Sequence, residues 1–220
     1  MATVTNICFH GIGEPRREME PGEASYWVTR DSFLRVLDAL VDRPGVRISF
    51  DDGNASDVEI GLPALQERGL SATFFVLAGR LEHRGSLASD QMHELVGAGM
   101  RIGSHGMHHR TWRAMSAAES RLELVEARDA LSETAGRPVT EAALPLGSYD
   151  RRLLADLRRQ GYHRIYTSDR AQARETAWLQ PRFSITAADT VPSVHQTMLS
   201  RPGIVRRAER RTARTIKSLR

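Results

Sequence analysis

The stretch "RISFDDGNAS", residues 47–56, decides how this chain is read. "VRISF" has the character of a short buried strand, and two adjacent aspartates, Asp51 and Asp52, stand at its end. Gly53 and Asn54 follow. Like charges this close repel, so each carboxylate must stay wet, be paired, or hold a cation. A helix N-cap beside a solvated neighbour is the plain alternative. The flanking sequence has to choose between them.

Working outward, strand-like and helix-like segments alternate. Upstream, "TVTNICF" (3–9) reads as a strand, with Ile7 and Phe9 on one face and Cys8 and His10 on the other. A loop rich in Pro, Glu and Arg follows. A helix is predicted over 31–41, with Phe33, Val36, Leu37 and Leu40 at helical spacing. Downstream, "SDVEIGLPALQERG" reads as a helix, "SATFFVLAG" as a strand buried on both faces, "SDQMHELVGAG" as a helix and "MRIGSH" as a strand. A capping box at "SAAE" (116–119) opens the longest helix, expected to run to Ala135. Strands are predicted within "TEAALPLGSYD", "YHRIYTS" and "AWLQPRFSI", with the helix "RRLLADLRRQG" after the first of them. This order predicts a parallel sheet covered by helices, either a barrel or an open doubly wound sheet. In both, ligands gather at the C-terminal ends of the strands.

Composition narrows the function classes. The chain has 220 residues, 40% hydrophobic and 26% charged, enough for a sizeable core. Its single cysteine, Cys8, excludes an internal disulfide. "MATVTNICFH" lacks the basic start and long apolar stretch of an export signal, and no segment has the roughly 18 apolar residues of a membrane span. The expected location is therefore the cytoplasm. The net charge of +4 is carried by residues 206–220, which hold seven Lys or Arg against one Glu. The remainder is slightly acidic, so no nucleic-acid partner is expected. Residues 1–200 are assigned to one catalytic domain and 201–220 to a basic tail. In that tail Val205, Ala208, Thr212, Ile216 and Leu219 recur at helical spacing. It either finishes the domain or holds an anionic membrane surface as a peripheral contact.

The strand ends collect His10, Asp51, Asp52, His105, His108, His109 and the segment Pro145–Tyr149. In "SHGMHH", a turn of helix would put His105 and His109 on one side. Two such histidines and one carboxylate make a three-ligand metal site with an open position for water. Either pair alone reads more readily as a helix cap or a solvated turn; together, at strand ends, they favour a metal.

"SFDDG", then "GSHGMHH", then "ALPLGSYD" resembles the polysaccharide deacetylase family, the NodB-homology group also called carbohydrate esterase family 4. The resemblance covers residues 2–190 and implies a distorted (β/α) barrel of about seven strands. It implies Asp51 as catalytic base and Asp52, His105 and His109 as ligands of a divalent ion, with zinc expected. His108 competes with His109, which the family spacing favours. Gly106 stands where Ser or Thr is usual in the second motif, and Arg110 where Pro is frequent. In the third motif Ala143 replaces the usual arginine, while Leu146 matches the residue whose backbone N–H binds the oxyanion. Arg182, in "QPRFSI", either substitutes for that arginine or is a surface residue.

The family's C-terminal Leu-x-His is absent, but "ICFHGIG" (7–13) has its character at the other end of the chain. This resembles a circularly permuted branch and would make His10 the general acid. The implied reaction is removal of an N-acetyl group from a saccharide or a lipid-linked sugar precursor. The alternatives are a metal-dependent amidase acting on a non-sugar C–N bond and a non-enzymatic binding protein that keeps the fold.

Overall fold

In the computed structural model, residues 2–200 are described, so the helix expected around Val205–Leu219 lies outside the described residues. Among the described residues there are eight strands: β1 (Thr3–Phe9), β2 (Val46–Asp52), β3 (Ala72–Val76), β4 (Arg101–Ser104), β5 (Glu141–Ala143), β6 (Arg164–Thr167), β7 (Ala173–Arg174) and β8 (Leu179–Ser184). The helices are α1 (Arg30–Leu40), α2 (Leu62–Glu67), α3 (Ser89–Gly97), α4 (Ala117–Arg121), α5 (Ala127–Ala135), α6 (Arg151–Arg159) and α7 (Val191–Val194).

Seven strands close a parallel barrel in the order β2-β3-β4-β5-β6-β8-β1, with β1 returning to pair with β2. This settles the choice between barrel and open sheet. The register aligns Cys8 with Ser49 and Phe9 with Phe50 on one side of β1, and Ile7 with Phe183 on the other. β7 adds two residues antiparallel to the start of β1.

Strand alternation sorts the side chains. Ile7, Phe9, Ile48, Phe50 and Phe74 point outward and form one core with Phe33, Val36 and Leu37 of α1. Each buried aromatic there contributes roughly 1.5–3 kcal/mol. The inward set includes the buried polar residues Asn6, Ser49, Thr73, Gln180 and Arg182, with Phe75, Ala143 and Tyr166 as a small apolar patch. Asn6 Nδ2 donates to Gln180 Oε1 at 2.9 Å and to Pro181 O at 3.0 Å, pairing two buried side-chain amides away from water.

The predicted capping box forms, with Ser116 N donating to Glu119 Oε2 at 2.8 Å and Glu119 N donating to Ser116 Oγ at 3.3 Å. α4 and α5 are joined through a π-helical turn, Leu122–Glu126. No helix among the described residues is long and apolar enough to cross a membrane.

Candidate active site

The mouth at the C-terminal ends of the strands gathers the aspartates. Simple alternation would send Asp51 inward and Asp52 outward. Instead Asp52 adopts φ 78° and Gly53 φ 67°, a left-handed turn that is costly for a residue with a side chain. Both carboxylates thereby face His105: Asp52 Oδ1 lies 3.6 Å and Asp51 Oδ2 3.9 Å from its Nε2. Both aspartates are buried.

The two histidines meet by a different route from the expected helical turn. Residues 105–110 form a loop, not a helix, and Gly106 turns it at φ 92°. A Cβ on Gly106 would lie 2.4 Å from Glu123 Oε2, so the serine or threonine of the family motif has no room here. Glu123, fully buried on the π turn, accepts from Met107 N at 2.8 Å and from His108 N at 3.2 Å. This hold leaves His108 exposed and brings His109 Nε2 to 3.7 Å from Asp52 Oδ1. His105 Nδ1–H donates to Ala143 O at 2.9 Å, so the lone pair of its Nε2 faces the carboxylates. Burial, aided by the charges of His109 and Arg182, pushes His105 down to about 4 against the pull of Asp51 and Asp52.

Arg182 is no surface residue. Buried inside the barrel, it donates from Nη1 to Asp51 Oδ1 and from Nη2 to Asp51 Oδ2, each at 2.6 Å. Its guanidinium also lies 5.2 Å from the Phe75 ring and 5.8 Å from that of Tyr166. Burial alone would raise the Asp51 pKa, but the arginine's charge and hydrogen bonds, with His105, hold it below the usual carboxylate range. His10 follows β1, packs against Tyr26 with tilted rings whose centroids are 4.8 Å apart, and offers a donor atom within 4.8 Å of Cys8 and Asp51.

The loop "ALPLGSYD" places Leu146 at φ 55° with its side chain exposed. Gly147 follows at φ 63°, where a Cβ would strike Ser168 Oγ. Asp150 caps α6 by accepting from Leu153 N at 2.8 Å, and Tyr149 donates to Asp169 at 2.7 Å.

Several partners escaped the sequence reading. The segment 11–29 crosses the mouth as a strap. Its Glu20 accepts from His109 Nδ1 at 2.5 Å and also pairs with Arg80. Arg17 pairs with Glu23 and donates to Asn54 Oδ1 at 2.9 Å, tying the strap to the loop after β2. Asp57 is fully buried, and burial with the neighbouring Asp52 charge raises its pKa well above the ordinary value. Glu123 left a readable sign, an acid on the apolar stripe of its helix. The strap residues, in an aperiodic loop, left none.

Asp52, His105 and His109 suit a divalent ion. Donors about 2.0–2.1 Å from a tetrahedral ion lie roughly 3.3–3.5 Å apart, close to the 3.6 and 3.7 Å spacings here. Asp52 Oδ1, the atom both histidines face, is buried with no hydrogen-bond partner. All three donors fall within 4.8 Å of one another.

A closed (β/α) barrel with an Asp-His-His donor set at its mouth, beside a second aspartate held by arginine, defines a class of barrel hydrolases. The polysaccharide deacetylase family model matches residues 40–165, and the chain belongs to that family. Over 151 residues it is 25% identical to YxkH of Bacillus subtilis (strain 168), whose name refers to the same family. That match takes in 69% of this chain and 52% of YxkH, so the chain spans about half the length of this relative. Among solved structures, Streptococcus pyogenes deacetylase PplD in complex with acetate aligns with a TM-score of 0.77 at 21% identity, over 91% of this chain and 99% of that one. IcaB from Ammonifex degensii aligns at 0.71 and 23% identity, over 88% and 96%. At these identities the likeness is one of fold.

Proposed function

We propose that the chain is a metal-dependent hydrolase that removes the N-acetyl group from a saccharide. The observation that carries this is the convergence of the Asp52, His105 and His109 donors beside an arginine-held Asp51, with a His10 donor atom within 4.8 Å of that aspartate. A divalent ion in that donor set, with zinc expected, supplies Lewis acidity that polarises an amide carbonyl and lowers the pKa of a water. Asp51 takes the proton of the attacking water as the new C–O bond forms. The Leu146 N–H donates to the carbonyl oxygen as negative charge develops there. His10 gives a proton to the nitrogen as the C–N bond breaks, and acetate and a free amino sugar leave.

Arg182 orients the base in this scheme and stands in for the arginine that Ala143 replaces. Its guanidinium lies against Phe75 and Tyr166, the residues that also pack on Ala143. In the permuted reading the first strand, β1, carries the general acid; its place between β8 and β2 sets the end of that strand beside Asp51.

Metal analysis of the purified chain, with an acetate-release screen on N-acetylated saccharides, tests the proposal. One tightly bound ion per chain and acetate from saccharides are expected. Release only from small non-sugar amides would favour the amidase. Failure to bind any divalent ion at micromolar levels would leave only a binding protein.

A cytoplasmic, lipid-linked precursor held near an anionic membrane by the basic tail is the finer reading, resting on composition alone. Sedimentation with anionic vesicles of the full chain and of one stopped at Pro202 tests it; equal behaviour at low salt would end it.

A further inference from the structure

We propose that Cys8, His10 and Asp51 form a second, weaker cation site, suited to thiophilic divalent ions such as zinc or cadmium, whose filling stops the reaction. The three residues end neighbouring strands β1 and β2, and each offers one donor atom within 4.8 Å of the others. Their sulfur, nitrogen and oxygen donors suit a borderline-soft ion, whereas the Asp52-His105-His109 set has no sulfur. His10 Nδ1 is buried and has no hydrogen-bond partner. Cys8 Sγ donates to Phe9 O over a long 3.4 Å and lies beside the Ser49 and Asp51 side chains, so it already faces the aspartate. Cys8 and Asp51 are sealed inside, while His10 is partly exposed and gives an ion its way in from the mouth.

Geometry also sets the order of filling. Arg182 donates to both oxygens of Asp51 at 2.6 Å, and its positive charge opposes a cation there. No guanidinium touches the Asp52 carboxylate in this way, so the first set fills first. On ligation the Cys8 thiol releases its proton to solvent, and Asp51 and His10 spend their lone pairs on the ion. The inhibitory consequence rests on reading those two residues as base and acid. The binding itself does not.

Cys8 is the chain's single cysteine, so a thiolate-to-cobalt charge-transfer absorption can come from nowhere else. Cobalt(II) chloride titrated into the metal-free full-length chain should bind two ions, with the thiolate band rising only after the first equivalent. Acetate release should climb through the first equivalent and then fall by about 100-fold or more as the base and acid are taken. Cys8→Ala should bind one ion, show no band and escape the inhibition by excess cobalt. Saturation of the wild-type chain at one ion, without a thiolate band up to millimolar cobalt, would overturn the proposal whether or not the variant folds. A chain that shows the band at two ions yet never releases acetate upholds the site and counts against the deacetylase reading instead.

Discussion

Successive residues of β1 and β2 face two different surroundings. On the outer side Phe9, Phe50 and Phe74 stack in sequence across three strands, with centroids 5.6 and 4.7 Å apart, and Phe33 of α1 closes over them. On the inner side, one residue away each time, stand Cys8, Ser49 and Asp51. The outer layer gains free energy from every apolar atom it buries. The inner layer can hold a carboxylate only because Arg182 grips both of its oxygens, and such a buried pair adds little net stability compared with apolar packing. What it fixes is position. The same strands thus divide by parity: one face packs apolar rings against the helices and the other fixes buried polar groups, among them the proposed base.

The largest test breaks each face separately. Asp51→Asn is expected to cut acetate release by about 10²–10⁴-fold while an ion is still bound, whereas Asp52→Asn should lose the ion first. Phe50→Ala is expected to cost about 3–5 kcal/mol of stability, with the rate per folded molecule unchanged. Denaturant melts paired with rates corrected for the folded fraction would measure both. If Phe50→Ala slowed the folded enzyme as much as Asp51→Asn, the division by parity would be wrong.

The parity itself was legible in the sequence, because a period of two on Ile7/Phe9 against Cys8/His10 needs nothing but local order. The helices were legible through spacing and the Ser116–Glu119 box. At the site, the residue types were readable and the backbone was not. Nothing in "FDDGN" says that Asp52 takes a positive φ, and nothing in "HGMHH" says that a buried glutamate far along the chain, rather than a helical turn, sets the loop. Arg182 shows the same limit. Its sequence position allowed surface or site equally, and only barrel closure, which sets β8 and β2 on either side of β1, brings its fork onto Asp51.

A middle-sized effect is expected where the strap supports the mouth. Glu20 receives the Nδ1–H of His109, and a carboxylate behind a ligating histidine fixes its ring and raises its basicity. Glu20→Gln should weaken zinc binding by about 10–100-fold, measured by calorimetric titration, while Asp52→Asn weakens it more. Unchanged affinity would mean that the strap covers the site without supporting it.

The smallest expected effect is a pH dependence on the strap alone. Glu23 is nearly sealed from solvent, accepts from Arg17 Nη1 at 3.0 Å, from Trp27 Nε1 at 3.1 Å and from Glu20 N at 2.8 Å. Burial by itself would raise its pKa; the Arg17 hydrogen bond, then the backbone N–H of Glu20, Trp27 and the arginine's charge, reverse that and bring it from 4.5 down to about 2. A carboxylate depressed in the folded state stabilises that state fully above its unfolded pKa and loses the contribution as pH falls through the folded one. The window is therefore from about 4.5 down to about 2, and the contribution at neutral pH is on the order of 2 kcal/mol. The melting temperature of Glu23→Gln should lie below that of the wild type at pH 6, and the gap should close as both are acidified toward pH 2. Other carboxylates titrate in both proteins, so the difference between the two curves isolates this one. A gap that stayed constant with pH would show that Glu23 holds the strap by shape rather than by charge. Arg17, whose reach to Asn54 joins the strap to the barrel, would then keep its place without the ion pair.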